Sequence, residues 1–446
     1  MTFPYARDLF TLLLGDLVVF AGSLWVALVA RHFVAPNGAQ YLEHLIPFAP
    51  LFILWMLVFL SVGLYDRTVA LFEHRLPGTI LQAQAANTFI AVVFFFVLPL
   101  AIQPKTILVL YFVFSTLLIV VWRLGVFRLR SIGRHNERAV VVGHGPDIDE
   151  LAHALRVSPH TTLECVDVVD TQELESGVLM QRVRESLERT GARVIIHDPR
   201  LTAPFTTAHV PGVVLIDALE VYEALFSRTP LTLMHERLFE APSAPAEALH
   251  DAVKRTVDIC IAALLFLVLI ALLPCIAIAT RIEGAGPLFI SQERIGKMWR
   301  KIFVFKLRTM TKNEVASDAW VGESTNRVTK IGALLRRASI DELPQLFSVL
   351  KGELSFIGPR SDIWGLGERL KEEIPLYHVR YLVTPGISGW AQVNQQYAPG
   401  NISPQSIEES RVRLMYDLYY VRHRSTFLDL TIATKTLATL IRRLIP

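Results

Sequence analysis

The chain has 446 residues, enough for two or three domains, and 52% of them are apolar, with a mean hydropathy of +0.41. That excludes an ordinary soluble protein and points to the bilayer. The net charge of +3 hides a segregation: nine basic residues stand against five acidic in 1–136, nine against eighteen in 137–250, and 26 against 18 in 251–446. Domain boundaries are therefore placed at 136/137 and 250/251. The three cysteines, Cys165, Cys260 and Cys275, show no metal spacing, and two lie in an apolar run. They indicate a reducing or lipid setting without disulfides.

The chain opens on four apolar segments, Leu9–Ala30, Pro47–Leu64, Ile80–Ala101 and Thr106–Trp122, each close to the ~20 residues of a spanning helix. No small-residue cleavage site follows the first, which reads as a retained anchor. Basic residues gather at Arg7, at Arg67 and Arg75, and at Arg123, Arg128, Arg130 and Arg134, while the other face gets only Arg31 and Lys105. This bias puts both ends of a four-helix bundle in the cytoplasm. Asp16, the one charge well inside a segment, lies near enough to its end to be expected to snorkel.

The second domain alternates strand and helix. "RAVVVG" ends at Gly143, helix residues run from Asp147 to Arg156, and "TLECVDVVD" follows. A helix over Val178–Arg189 precedes "RVIIHD" and then "VVLID", ending at Asp217. Such alternation implies a parallel, doubly wound sheet. Gly143 and Gly145 start a dinucleotide fingerprint, but Ile148 stands where its third glycine belongs. The domain also contains no lysine, so a structural or regulatory Rossmann-like module is expected rather than a cofactor site. "EAPSAPAEA", Glu240–Ala248, reads as a linker.

A fifth apolar run, Val257–Thr280, has basic flanks on both sides: Lys254 and Arg255 before it, Arg281 through Arg308 after it. A simple crossing cannot satisfy that symmetry. Pro274 removes a backbone donor and clashes with the preceding turn, so the run is expected to bend there and re-enter, keeping both flanks cytoplasmic. Beyond it, Lys306 and Arg308 alternate along a strand and should face one side. Together with Arg336, Arg337 and Arg360 they suit phosphate oxygens or anionic headgroups. Phe427–Ile445 is amphipathic and reads as an interfacial helix.

Inside this basic region stands "SIDELPQLFSVLKGE". A helix period runs through Leu343, Leu346, Phe347 and Leu350, and Gly352 stops it. Ser339 and Glu342 have the spacing of a capping box. Starting the helix at Asp341 instead puts Pro344 in the first turn, where its missing donor costs nothing. Asp341 would then sit at the positive helix end, favouring its ionised form as a nucleophile or metal ligand. The residues alone leave capping and catalysis both open.

From about Lys254 to the end the chain resembles the bacterial sugar transferases, the polyprenyl-phosphate hexose-1-phosphate transferases. "KRTVDI", "GPLFISQERIGKMWRKIFVFKLRTM", "VTKIGALLRRASIDELPQLFSVLKGELSFIGPR", "PGISGWAQVN" and "YDLYY" carry the likeness. The chain departs from the family at Ser361 and Asp362 after Arg360, where proline and glutamate are usual, and at Leu273 before Pro274, where serine is usual. The resemblance implies a membrane α-helical bundle (1–136), an α/β Rossmann-like module (137–250) and an α/β catalytic domain with a re-entrant membrane helix (251–446). It implies a catalytic and metal-binding pair, Asp341 and Glu342, phosphate contacts from Lys306, Arg308, Arg336 and Arg360, a membrane bend at Pro274, and Mg²⁺. The implied reaction moves a sugar-1-phosphate from a UDP-sugar to undecaprenyl phosphate at the cytoplasmic face of the inner membrane. Membrane lipid is a partner, nucleic acid is not, and self-association through the bundle and the module is compatible with the layout. The alternative is a non-catalytic membrane scaffold for polysaccharide export.

Overall fold

A computed structural model describes residues 3–61, 64–65, 76–97, 105–131, 137–157, 163–172, 176–201, 212–234, 245–284, 286–310, 328–337, 339–397 and 403–444. Arg67, Arg75, Arg134 and most of the expected linker, up to Ala244, lie outside the described residues. The chain divides into two compact units, Met1–Leu225 and Phe226–Pro446.

The first unit begins with α1 (Phe3–His32), α2 (Gly38–Ser61), α3 (Leu76–Val97) and α4 (Lys105–Ser131). All four are long and apolar enough to cross a membrane. Their shared core is aromatic, with Phe20, Phe48, Phe52, Trp55, Phe59 and Tyr111 buried together. Helix α2 starts nine residues before the expected Pro47 and holds both Pro47 and Pro50 inside it. Asp16 does not snorkel: it is fully buried, paired with Arg123 and bonded by the Tyr65 hydroxyl at 2.9 Å. In hydrocarbon an acid paired inside the bundle costs less than one left alone.

The same unit contains β1 (Glu137–Gly143), α5 (Pro146–Val157), β2 (Leu163–Asp170), α6 (Ser176–Thr190), β3 (Val194–His197), β4 (Val214–Asp217) and α7 (Ala218–Phe226). The strands form one parallel sheet in the order β2-β1-β3-β4. Strand β1 is buried from Ala139 to Gly143, as a parallel strand covered on both faces must be. Val140 and Val142 point one way and pack with Leu179, Val183 and Leu187 of α6. The missing third glycine has a packing reason: the Ile148 side chain fills the space next to Gly143, 2.8 Å from where a Cβ would be.

The second unit opens with α8 (Pro245–Glu283), 39 residues long. It runs through Pro274 as one helix, and it takes in the last residues of the expected linker. At 1.5 Å per residue it is about 58 Å long, nearly twice a hydrocarbon core. Both of its ends dock on the same unit. Near the start, Arg255 donates to the carbonyls of Val349 and Leu350, Asp258 accepts from the Phe356 amide, and Ala262 joins a core with Val304, Leu346 and Val349. Near the end, Ile276 packs with Leu307 and Leu335, and Glu283 accepts from the Ile331 amide. Between and beside these contacts Leu264, Leu267, Val268, Ile270 and Ile278 are exposed.

An antiparallel hairpin follows, β5 (Phe289–Ile295) and β6 (Lys301–Leu307), then α9 (Lys330–Arg337), a 3₁₀ turn (Ile340–Gln345) and α10 (Leu346–Lys351). Strand β7 (Ser355–Ile357) pairs in parallel with β8 (Gly386–Ser388). At Gly386 a Cβ would meet the Gly358 backbone at 2.1 Å, which accounts for the glycine in "PGISG". Helices α11 (Trp364–Glu373), α12 (Trp390–Asn394), α13 (Ile407–His423) and α14 (Thr426–Leu444) complete the unit.

Candidate active site

The acid pair lies on the 3₁₀ turn that leads into α10. Neither sequence reading of its start is realised. Ser339 occupies the cap position with left-handed backbone (φ 54°), and its side chain makes no capping bond. The regular helix begins only at Leu346. Pro344 explains this: it has no N–H to give, and it disfavours the α conformation at Leu343. The chain takes the tighter turn instead. Gly352 ends α10 with φ 84°, as a left-handed cap.

Glu342 does not cap because cations claim it. Its Oε1 receives Lys306 Nζ at 3.0 Å and Arg360 Nη2 at 2.9 Å. Burial would raise its pKa, but Arg360 and Lys306 hold it well below the ordinary carboxylate range. Asp341, its neighbour, forms no ion pair among the described residues. Burial raises its pKa first and the Glu342 charge second, against Lys306 and Arg336. The expectation that the helix end would favour the ionised form is thus reversed: a short 3₁₀ turn offers a weak dipole, while desolvation acts directly.

Lys306 is itself lowered to about 8, chiefly by burial, with Glu342 opposing and Arg294 and Arg360 adding to the fall. Arg336 lies near enough to Asp341 to act on its charge, and its Nε donates to Thr309 Oγ1 at 2.9 Å. Arg308 goes elsewhere: its guanidinium donates to the carbonyls of Thr280 and Gly284, at 3.3 and 2.7 Å, at the end of α8. Lys306, Arg360 and the acid pair are therefore brought together, with Arg336 alongside Asp341. Arg308 binds the end of α8, and Pro274 lies within that helix.

Several residues to which the sequence reading gave no role in the site support this cluster. Arg294, from "QERIG", donates to the Ser361 carbonyl at 2.5 Å and to Gln292. Burial and the nearby Arg360 lower it to about 10. Behind Arg360 lies a buried network. Asp362 takes Arg380, Arg413 at 3.0 Å, and the hydroxyls of Tyr377 and Tyr381 at 2.6 and 2.7 Å. Arg380, fully buried, also reaches Asp417 at 2.7 Å. Arg380 and Arg413 both donate to the backbone carbonyl of Arg360, at 2.9 and 2.7 Å, and so fix the segment that aims its guanidinium at Glu342. Asp417 belongs to "YDLYY", so a buried acid among aromatics was the available signal.

Among the described residues no three His, Cys, Asp or Glu side chains are grouped to hold a metal. Mg²⁺ would not need such a group, because it keeps waters and uses one or two carboxylates plus substrate phosphates. Were Mg²⁺ bound at this pair, Asp341 and the second oxygen of Glu342 would be the carboxylate donors.

The family described as "Bacterial sugar transferase" matches residues 249–443, and "CoA-binding domain" matches residues 60–183. The chain is 33% identical over 243 residues, 54% of its length, to the UDP-N-acetylgalactosamine-undecaprenyl-phosphate N-acetylgalactosaminephosphotransferase of Aeromonas hydrophila, of which 55% is covered. It is 36% identical over 215 residues, 46% of its length, to the UDP-glucose:undecaprenyl-phosphate glucose-1-phosphate transferase of Escherichia coli (strain K12), of which 45% is covered. It spans about half the length of these two relatives. Against the exopolysaccharide production protein PSS of Rhizobium leguminosarum bv. phaseoli it is 36% identical over 195 residues, 43% of this chain and 96% of that protein. The chain belongs to the bacterial sugar transferase family.

Proposed function

We propose that this chain transfers a sugar-1-phosphate from a UDP-sugar to undecaprenyl phosphate, with release of UMP, in exopolysaccharide, capsule or O-antigen assembly. The observation that carries it is the asymmetry of the acid pair: Glu342 is tied to Lys306 and Arg360, whereas Asp341 has no ion pair among the described residues. One carboxylate holds the cations in place and the other remains reactive. The names of the relatives supply the substrates.

In this reading Lys306, Arg336 and Arg360 hold the diphosphate. An Asp341 carboxylate oxygen attacks the phosphorus bonded to the sugar. The bond from that phosphorus to the bridging oxygen breaks, and UMP leaves with the oxygen. The phosphosugar is then an acyl phosphate on Asp341. An oxygen of undecaprenyl phosphate attacks the same phosphorus, which frees Asp341 and forms the lipid diphosphate-sugar. Mg²⁺, held by Asp341 and Glu342 with the diphosphate, would neutralise charge on the leaving UMP. The site faces the cytoplasm at the inner membrane, where the donor is made. Re-entry of α8 is supported by the docking of both its ends on one unit, which a straight crossing would not allow.

Purified protein with Mg²⁺, lipid phosphate and a panel of UDP-sugars should release UMP with one or a few of them. Without lipid it should release about one UMP per chain and gain a phosphosugar mass on the Asp341 peptide. UMP release only when lipid is present, with no adduct, would replace the covalent route by direct transfer. No UMP from any donor would favour the scaffold.

A further inference from the structure

A cavity of about 220 Å³ opens where α10 stops at Gly352, at the end away from the acid-bearing 3₁₀ turn. None of Asp341, Glu342, Lys306 or Arg360 lines it. Its wall carries Lys254, Arg255, Lys297 and Arg424 against two carboxylates, Asp251 and Asp258. Lys254 is 3.1 Å from Asp429, Arg424 is 3.5 Å from Asp251, and Arg255 caps α10. Lys297 is exposed and makes no ion pair among the described residues.

His250 provides a second observation. It lines the cavity and is only 8% exposed. Its Nε2 lies 3.1 Å from Asp429, while its Nδ1 has no hydrogen-bond partner. Asp251 Oδ1 lies 3.4 Å from this Nδ1, an ion-pair distance, but makes no hydrogen bond to it. A buried polar atom left without a partner is costly and calls for an occupant.

We propose that this cavity binds a phosphate group, either free or as the ester of an anionic lipid headgroup. The cation surplus selects an anion. The volume falls below the ~300–1,000 Å³ of a pocket for a whole cofactor or drug-sized molecule, and suits a single headgroup. A phosphate oxygen would supply the hydrogen-bond partner that His250 Nδ1 lacks, while Nε2 keeps its contact with Asp429. Location favours a lipid source: the exposed positions that follow on α8 are mostly apolar, Val253, Val257, Ile259 and Ile261 beside the polar Thr256, and Leu430 on α14 is exposed too. That preference, though not the phosphate site itself, rests on α8 lying in the bilayer.

The test uses the full chain with Cys165, Cys260 and Cys275 replaced and Thr384→Cys placed in the cavity wall. Alkylation by neutral iodoacetamide is timed in nanodiscs of phosphatidylglycerol or of phosphatidylcholine, and in detergent with inorganic phosphate or with chloride at equal ionic strength. Ligand at ten times its Kd should slow labelling about ten-fold. Slowing confined to phosphatidylglycerol supports a lipid headgroup. Slowing by inorganic phosphate as well supports phosphate chemistry open to a soluble source. Lys297→Glu should restore fast labelling, although its charge alone would slow a thiolate reaction, and Lys297→Met should restore it in part. Melting midpoints serve to show that both variants fold. Equal rates in all four conditions, or protection that survives Lys297→Glu, would overturn the proposal. Sugar transfer is not measured, so failure here leaves the proposed reaction standing.

Discussion

At the residue scale, two adjacent carboxylates differ because their surroundings differ. Asp341→Asn keeps the shape but removes charge and nucleophilicity. It should lower turnover by roughly a million-fold if it removes an essential nucleophile, with circular dichroism and membrane insertion unchanged. Glu342→Gln releases Lys306 and Arg360 from Oε1 and should cost less. Near-normal turnover in the Asp341→Asn enzyme would refute the assignment. The titrations give a second expectation. As pH falls, Asp341 protonates at a higher pH than a free carboxylate, because burial and Glu342 raise it. As pH rises through about 8, Lys306 loses its proton and its hold on phosphate. The pH profile of kcat/KM should therefore be a bell whose alkaline limb lies near 8. Unfolding is not the cause of that limb. A lysine held below its unfolded value of about 10.4 binds fewer protons when folded, so its own contribution to stability rises between the two values. Lys306→Arg, which cannot titrate there, should remove the alkaline limb. A limb that stays in that variant would assign it to another group.

At the element scale, α8 shifts attention from Pro274 to the helix ends. The helix runs through the proline, and both ends are held by polar contacts: Arg255 and Asp258 at one, Glu283 and Arg308 at the other. Pro274→Ala should therefore leave the orientation unchanged. Cysteines at the exposed positions Glu188 and Glu372, in a chain lacking its own, should both be labelled only after the inner membrane is opened. Combining Asp258→Asn with Arg308→Ala should weaken that result. Periplasmic labelling of Glu372→Cys in the otherwise unaltered chain would show a full crossing. Gly352 is a smaller device in the same region. Gly352→Ala would put a Cβ on a left-handed cap, with the Arg255 guanidinium 3.4 Å away, and should cost about 1 kcal/mol in thermal unfolding.

At the scale of the whole second unit, Arg380 ties distant segments together. It joins Asp362, just after Arg360, to Asp417 on α13. Arg380→Ala leaves two buried carboxylates short of their partner, a loss of about 3–5 kcal/mol by comparison with other broken buried pairs. In a unit of this size that is on the order of 10 °C in Tm. Arg413→Lys is milder: it keeps a charge near Asp362 but loses the reach to the Arg360 carbonyl. It should lower kcat more than it lowers Tm, because it loosens the backbone that aims Arg360. A loss of Tm with kcat/KM intact would make the network structural only.

Local rules determined much of this protein. Apolar runs of the right length marked five long helices, period-2 and period-3.6 patterns marked the strands and helices of the parallel-sheet module, and Gly352 marked the end of α10, because each depends on residues close in sequence. The family motifs marked Asp341, Glu342, Lys306, Arg308, Arg336 and Arg360 as one constellation. Tertiary structure decided the rest. Which cation reaches which carboxylate depends on segments far apart: Lys306 and Arg360 meet at Glu342, while Arg308, two residues from Lys306, binds the end of α8. Asp16 is buried because Arg123 lies across the bundle, 107 residues away in sequence. The direction of the Asp341 shift follows from burial, and burial depends on the packing of the whole unit. Single-residue spacing cannot show such effects, because desolvation and pairing are set by whatever the fold brings within a few ångströms.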